Sequence, residues 1–162
     1  MKILVATDGS PCSRRAIDYI GKRKWSEDDS FVVVTVAQLQ QGIMLSGVPA
    51  GPAHNAEIRH QAYRTACRDA EAVSSILSGN TVDIRVLPGS PAEAICQEAR
   101  DVGADLIIMG SHGREGFSRL FLGSVAEDVL KQAPCSVAVI KELQDPGESE
   151  QAPLVTKAEF QG

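Results

Sequence analysis

Four stretches of this chain are apolar almost without interruption and too short to be helices: Ile3-Leu4-Val5-Ala6-Thr7, Phe31-Val32-Val33-Val34-Thr35-Val36, Leu106-Ile107-Ile108-Met109 and Val137-Ala138-Val139-Ile140. A strand that is apolar on both sides must be covered on both faces, which in water means a parallel sheet between two layers of helices. The segments between the runs supply those layers. Cys12, Ala16, Ile17 and Ile20 share roughly one helical face, as do Ile58, Ala62, Ala66, Ala70, Val73 and Leu77 in a long helix from His54 to Leu77. Ile95, Cys96, Ala99 and Val102 form a third stripe, and Val125, Val129 and Leu130 a fourth. Ser10-Pro11 reads as a cap followed by proline at the first helical position, and Ser90-Pro91-Ala92-Glu93 as a capping box. Gly21, Gly79 and Gly103 are the corresponding stops. One further strand, Thr81-Val82-Asp83-Ile84-Arg85-Val86, alternates strictly, so one of its faces is polar and it suits the edge of a sheet. The order βαβαβαβαβ predicts an α/β fold, an open five-stranded parallel sheet with helices on both faces.

With 162 residues the chain has room for one domain with a proper core. Aromatic residues make up only 4%, so Val, Ile, Leu and Ala must fill the interior. The net charge of −5 argues against a general nucleic-acid binder, which needs a basic face. No apolar run approaches the roughly 18 residues of a membrane span, and no signal peptide precedes the first strand, which predicts a cytoplasmic protein with no membrane partner. Cys12, Cys67, Cys96 and Cys135 show no C-x-x-C spacing and read as buried, reduced thiols. The three histidines are too scattered for a metal set, and His54 and His60 read as exposed polar residues. Residues 38–53 have no period and read as a long loop, a lid or a mobile segment. Beyond Leu143 the chain turns polar, so the expected organisation is a domain over 1–142 and a flexible tail over 143–162.

The third apolar run leads into Gly110-Ser111-His112-Gly113-Arg114-Glu115-Gly116-Phe117-Ser118-Arg119-Leu120-Phe121-Leu122-Gly123-Ser124, and then into the fourth helix. Gly110 and Gly113 let the backbone turn tightly and approach a bound group. Gly123 and Ser124 stand where the new helix presents free N–H groups, a terminus suited to phosphate. His112, Arg114 and Arg119 outnumber Glu115, so the local charge is opposite to that of the whole chain. The loop reads as an anion site, a nucleotide phosphate above all. The plain alternative is an ordinary strand-to-helix connection with Ser124 as N-cap. Neither a P-loop nor a Gly-x-Gly-x-x-Gly dinucleotide fingerprint is present. Asp8 stands at the carboxyl end of a central strand, the edge where open α/β sheets bind ligands. It could equally brace its turn through the N–H groups of Gly9 and Ser10.

The spacing Gly-x-x-Gly, nine residues, Gly-Ser, continued through Val125-Ala126-Glu127 to Pro134-Cys135-Ser136-Val137-Ala138-Val139-Ile140, closely resembles the ATP-binding branch of the universal stress protein family. The resemblance covers residues 1–142 and not the tail. It implies a Rossmann-like or flavodoxin-like fold, of the adenine nucleotide alpha hydrolase-like type, with strand order 3-2-1-4-5. That order puts the alternating strand at an edge. It implies ATP as ligand, with Mg²⁺ held through the phosphates rather than by a protein metal site. Gly110, Gly113, Gly123 and Ser124 would then contact ribose and phosphates, assisted by Arg114 or Arg119. Asp8 would orient the ribose or a phosphate-bound Mg²⁺; Val36 would flank the adenine with its backbone, and Thr7 would line the same pocket.

Family members commonly dimerise through the last strand. Here that strand is apolar on both faces with no charge before Lys141, an unprotected edge that invites pairing with a second copy. The implied function is a nucleotide-dependent regulatory or stress-response role as a homodimer. Two other readings stand beside it. A slow ATPase or nucleotidyl transferase would need a positioned base and charge neutralisation at the γ-phosphate; Asp8 is a single carboxylate and no residue is placed for that by the sequence, so no catalytic residue is assigned. A dimerisation scaffold without nucleotide would not need so many glycines at backbone-approach positions.

Overall fold

The structure, a computed structural model, describes residues 1–39, 52–77, 79–112 and 122–141. Strands β1 (Lys2–Ala6), β2 (Ser30–Ala37), β3 (Thr81–Pro88), β4 (Leu106–Gly110) and β5 (Ser136–Ile140) alternate with helices α1 (Pro11–Gly21), α2 (Pro52–Ile76), α3 (Pro91–Val102) and α4 (Ser124–Gln132). All neighbouring strands are parallel, in the order β3-β2-β1-β4-β5. The expected α/β architecture and strand order are therefore observed. The tail over 143–162 lies outside the described residues.

Three of the four continuous apolar runs occupy the central strands β1, β2 and β4, where both faces are covered; the fourth is β5, at an edge. Successive side chains point to opposite faces, so each strand feeds two cores. Ile3 and Val5 of β1, Phe31 and Val33 of β2, and Ile108 of β4 meet Ile17 and Ile20 of α1 and Ala70 and Val73 of α2. Leu4, Val32, Val34, Ile107 and Met109 point the other way, onto Ile95, Cys96 and Ala99 of α3 and Ala126 and Val129 of α4. Each of these larger side chains contributes about 1.5–3 kcal/mol by leaving water. β3 shows the alternation its sequence predicts, with Thr81, Asp83 and Arg85 exposed at the sheet edge. β5 forms the opposite edge and is only half-buried along Val137–Ile140.

Several local readings are corrected. α2 begins at Pro52, so the aperiodic stretch ends two residues before the predicted 53. Ser10 caps α1 as expected, its Oγ accepting the Ser13 N–H at 3.1 Å. Ser90 is the N-cap of α3 but makes no side-chain cap bond, so the serine does not close the expected capping box. Leu130 is 48% exposed, because α4 turns Ala126 inward beside Val129 and leaves Leu130 outside the stripe. All four cysteines are free thiols, yet only Cys96 is buried; Cys12, Cys67 and Cys135 are half-buried.

Candidate functional site

Strand order 3-2-1-4-5 sends the chain one way from β1 to β2 and the other way to β4. The loops leaving β1 and β4 therefore diverge, and a crevice opens between them at the carboxyl ends of the strands. A cavity of about 800 Å³ lies there. Six of the eight residues singled out from the sequence line it: Thr7, Asp8, Val36, Gly110, Gly123 and Ser124. The other two, Gly113 and Arg114, lie outside the described residues, as does Arg119.

Thr7 continues β1 past its last strand residue, its N–H donating to the Val34 carbonyl at 2.8 Å. Its hydroxyl meets that of Thr35 on β2 at 3.1 Å, a buried pair that sets two hydroxyls at the cavity floor. Asp8 follows, half-buried, and its Oδ1 accepts the Ser10 N–H at 2.9 Å. The turn-bracing reading of Asp8 is thus correct for one N–H, while the residue still faces the cavity. Ser10 Oγ also donates to the His112 carbonyl at 3.4 Å, tying the β1 turn to the loop after β4. Val36 lines the cavity from β2 and packs against the α3–α4 core.

Two of the motif's glycines are also required by packing within the chain. A Cβ on Gly110 would stand 2.6 Å from the Cys12 carbonyl carbon and 2.8 Å from its oxygen. Within the chain, the group that approaches Gly110 is the first turn of α1. A Cβ on Gly123 would stand 2.9 Å from the Ser111 carbonyl oxygen, which already accepts the Gly123 N–H at 2.8 Å. Both glycines let one part of the chain lie flat on another, and so bring α1, the β4 loop and the start of α4 together.

Gly123 is the N-cap of α4 and Ser124 its first helical residue, so Ser124 is not the N-cap. The first intrahelical bond runs from the Glu127 N–H to the Gly123 carbonyl at 2.9 Å. The N–H groups of Ser124, Val125 and Ala126, all on the cavity wall, have no acceptor within their own helix. With the helix dipole they make this rim attractive to anions. Among the described lining residues there is no lysine or arginine, and Asp8 and Asp128 supply the formal charges. Positive character there comes from backbone.

Other lining residues were not legible as such. Ile58, Gln61 and Ala62 form a wall from α2, and Ser90 and Pro91 bring the start of α3 to the rim. Ile58 and Ala62 were visible only as members of an amphipathic stripe. His112, counted in the sequence as a positive charge, places Nδ1 3.0 Å from Ser111 Oγ, while its Nε2 is buried without a hydrogen-bond partner. Among the described residues no three His, Cys, Asp or Glu side chains group as a metal site, and no helix is long and apolar enough to cross a membrane.

The sequence model of the universal stress protein family matches residues 1–141. Universal stress protein MJ0531 of Methanocaldococcus jannaschii is 33% identical over 145 residues, spanning 86% of this chain and 81% of the relative. Among solved structures, that of protein MJ0577, from the same organism, superposes with a TM-score of 0.70 at 26% identity, covering 89% of this chain and 97% of the other. A universal stress protein family protein of Arabidopsis thaliana, solved with AMP bound, shares the fold with a TM-score of 0.59 at 21% identity, over 93% of this chain and 97% of its own. The matched residues run from the first strand through the last, and they include every described residue of the cavity wall: this chain belongs to the universal stress protein family.

Proposed function

We propose that this protein binds an adenine nucleotide, ATP with Mg²⁺, as a member of the ATP-binding branch of its family, and acts as a nucleotide-dependent regulatory homodimer in the cytoplasm. The observation that carries the reading is the cavity at the carboxyl ends of β1, β2 and β4, with the start of α4 on its wall. Its volume lies inside the range of about 300–1,000 Å³ usual for small-ligand sites. The donors present fit a phosphate: the N–H groups of Ser124, Val125 and Ala126 and the Ser124 hydroxyl. Gly123 has a different part, since its N–H is already engaged by Ser111. Thr7 and Val36 would line the base and ribose end, and Asp8 would orient the ribose or the phosphate-bound Mg²⁺. Gly113 and Arg114 keep the phosphate-side roles that the resemblance implies. Mg²⁺ would be held through the phosphates, where its charge would offset those of Asp8 and Asp128. In the Arabidopsis protein the ligand is AMP. Dimerisation is assigned to the open edge of β5, and the domain to residues 1–142 with a dispensable tail.

Isothermal calorimetry tests the binding. ATP with Mg²⁺ is expected at roughly micromolar affinity, about −8 kcal/mol. Ser124→Ala should cost on the order of 1 kcal/mol for a neutral hydrogen bond, or up to about 3 kcal/mol to a charged phosphate. Absence of heat with ATP, ADP and AMP would overturn the reading.

A scaffold reading has one observation in its favour. Gly110 and Gly123 are each accounted for by contacts within the chain, so these two glycines alone do not require a ligand. A protein that dimerises but takes no nucleotide in the same calorimetry would be that scaffold.

A further inference from the structure

The cavity wall supplied by α2 continues into a contact that the nucleotide reading does not use. Ile58, Gln61 and Ala62 line the cavity; Thr65 and Arg68 follow on the next turns of the same face. There they lie against Gly9, the residue between Asp8 and Ser10. Gly9 has φ +78°, and a Cβ on it would stand 3.0 Å from Arg68 Nη2 and 3.2 Å from Thr65 Cγ2. The left-handed turn that presents Asp8 is therefore seated on α2. Arg14 Nη2 holds the same turn from α1, donating to the Gly9 carbonyl at 3.3 Å.

Arg68 is in turn fixed by its neighbour. Its Nε and Nη2 donate to Asp69 Oδ1 at 3.0 and 2.9 Å. Asp69 is only 2% exposed, and its Oδ2 is buried with no hydrogen-bond partner. The rest of the buried face of α2, Ala62, Thr65, Ala66, Ala70 and Val73, carries no charge. A half-satisfied buried carboxylate weakens a fold. Packing therefore does not explain Asp69, whereas anchoring a guanidinium against the Gly9 turn does.

Resting on the nucleotide reading above, we propose that Arg68, anchored by Asp69, is a positioning residue: it holds the Asp8-Gly9-Ser10 turn in the form that receives the nucleotide and ties α2 to the occupancy of the site. The cavity wall and the seat of the turn lie on one helix, so a shift of α2 alters both together.

Asp69→Asn is the informative variant, because it removes the buried charge yet keeps the shape. ATP affinity by calorimetry should fall about three- to tenfold, the scale of one charge-assisted hydrogen bond partly lost. The urea midpoint should stay level or rise. The Ser10 amide proton, which reports the bond to Asp8 Oδ1, should move in the nucleotide-free protein. The double variant Arg68→Ala with Asp69→Asn should lose at least as much affinity without leaving an unpaired buried carboxylate. Unchanged affinity in both variants would overturn the proposal, as would a loss that follows the urea midpoint downward with the Ser10 amide unmoved. A wild-type protein that takes no ATP would overturn the nucleotide reading, and this one with it; wild-type binding with indifferent variants would overturn this one alone.

Discussion

Gly110→Ala should destabilise the protein in the absence of any nucleotide. The added methyl would sit 2.6 Å from the Cys12 carbonyl carbon, 2.8 Å from its oxygen and 2.9 Å from its Cβ. Non-bonded carbons rest at about 3.5–4.0 Å, so the closest contact is roughly 1 Å too short. Relief requires the first turn of α1 to withdraw from β4. That turn is held by the Ser10 cap, by the Ser10 hydroxyl on His112, and by Ile17 and Ile20 in the core. Because the obstacle is mostly backbone, the cost belongs at the upper end of the overpacking range, about 3 kcal/mol. For a chain of this length that is a fall in Tm of about 6–12 °C. Thermal unfolding of the nucleotide-free protein, followed by circular dichroism, is the assay. If Gly110 is a glycine chiefly to admit a ligand, the free protein would keep its Tm and only binding would suffer. A Tm within about 1 °C of wild type, small against the expected fall, would refute the packing argument.

Ser10→Ala should cost about 1 kcal/mol, since Ser10 makes its cap bond to the Ser13 N–H. Ser90→Ala, where no cap bond forms, should stay within about 0.5 kcal/mol by urea denaturation. The wild-type protein should sediment as a dimer at micromolar concentration; a monomer there would remove the edge-strand argument built on β5. Truncation after Glu142 should leave stability within about 1 kcal/mol, and a larger loss would show that residues beyond 142 dock on the domain.

The parts of this fold that were legible in the sequence are those set by local pattern. An apolar run on both faces needs two covered faces, which placed β1, β2 and β4 at the centre; the alternation of Thr81–Val86 placed β3 at an edge. Ser10-Pro11 was legible because a capping hydroxyl and the N–H that donates to it lie three residues apart. Ser90 carries the same pattern without the bond, because a pattern does not set the hydroxyl's direction. The need for glycine at 110 was legible, but its packing contact was not: the close neighbour, Cys12, is nearly a hundred residues away along the chain and is brought there by the β1–β4 pairing. For the same reason α2 gave no sign of its part in the site. Ile58 and Ala62 look like core residues, Gln61, Thr65 and Arg68 like a solvated flank, until the sheet places them over Gly9 and the cavity. Residues 40–51 of the long loop and the central part of the glycine motif, residues 113–121, lie outside the described residues.

The central claim is that an adenine nucleotide occupies the crevice between β1 and β4. An amide-resolved NMR titration with ATP and Mg²⁺ tests it most directly. The account predicts saturable shifts concentrated at Thr7–Ser10, Val36–Ala37, Ser111–His112 and Ser124–Ala126, with the opposite end of the sheet around Trp25 and Asn80 unaffected. Shifts that cluster at that opposite end, or a spectrum unchanged at millimolar ATP, where an affinity as weak as about −4 kcal/mol would still be seen, would contradict it.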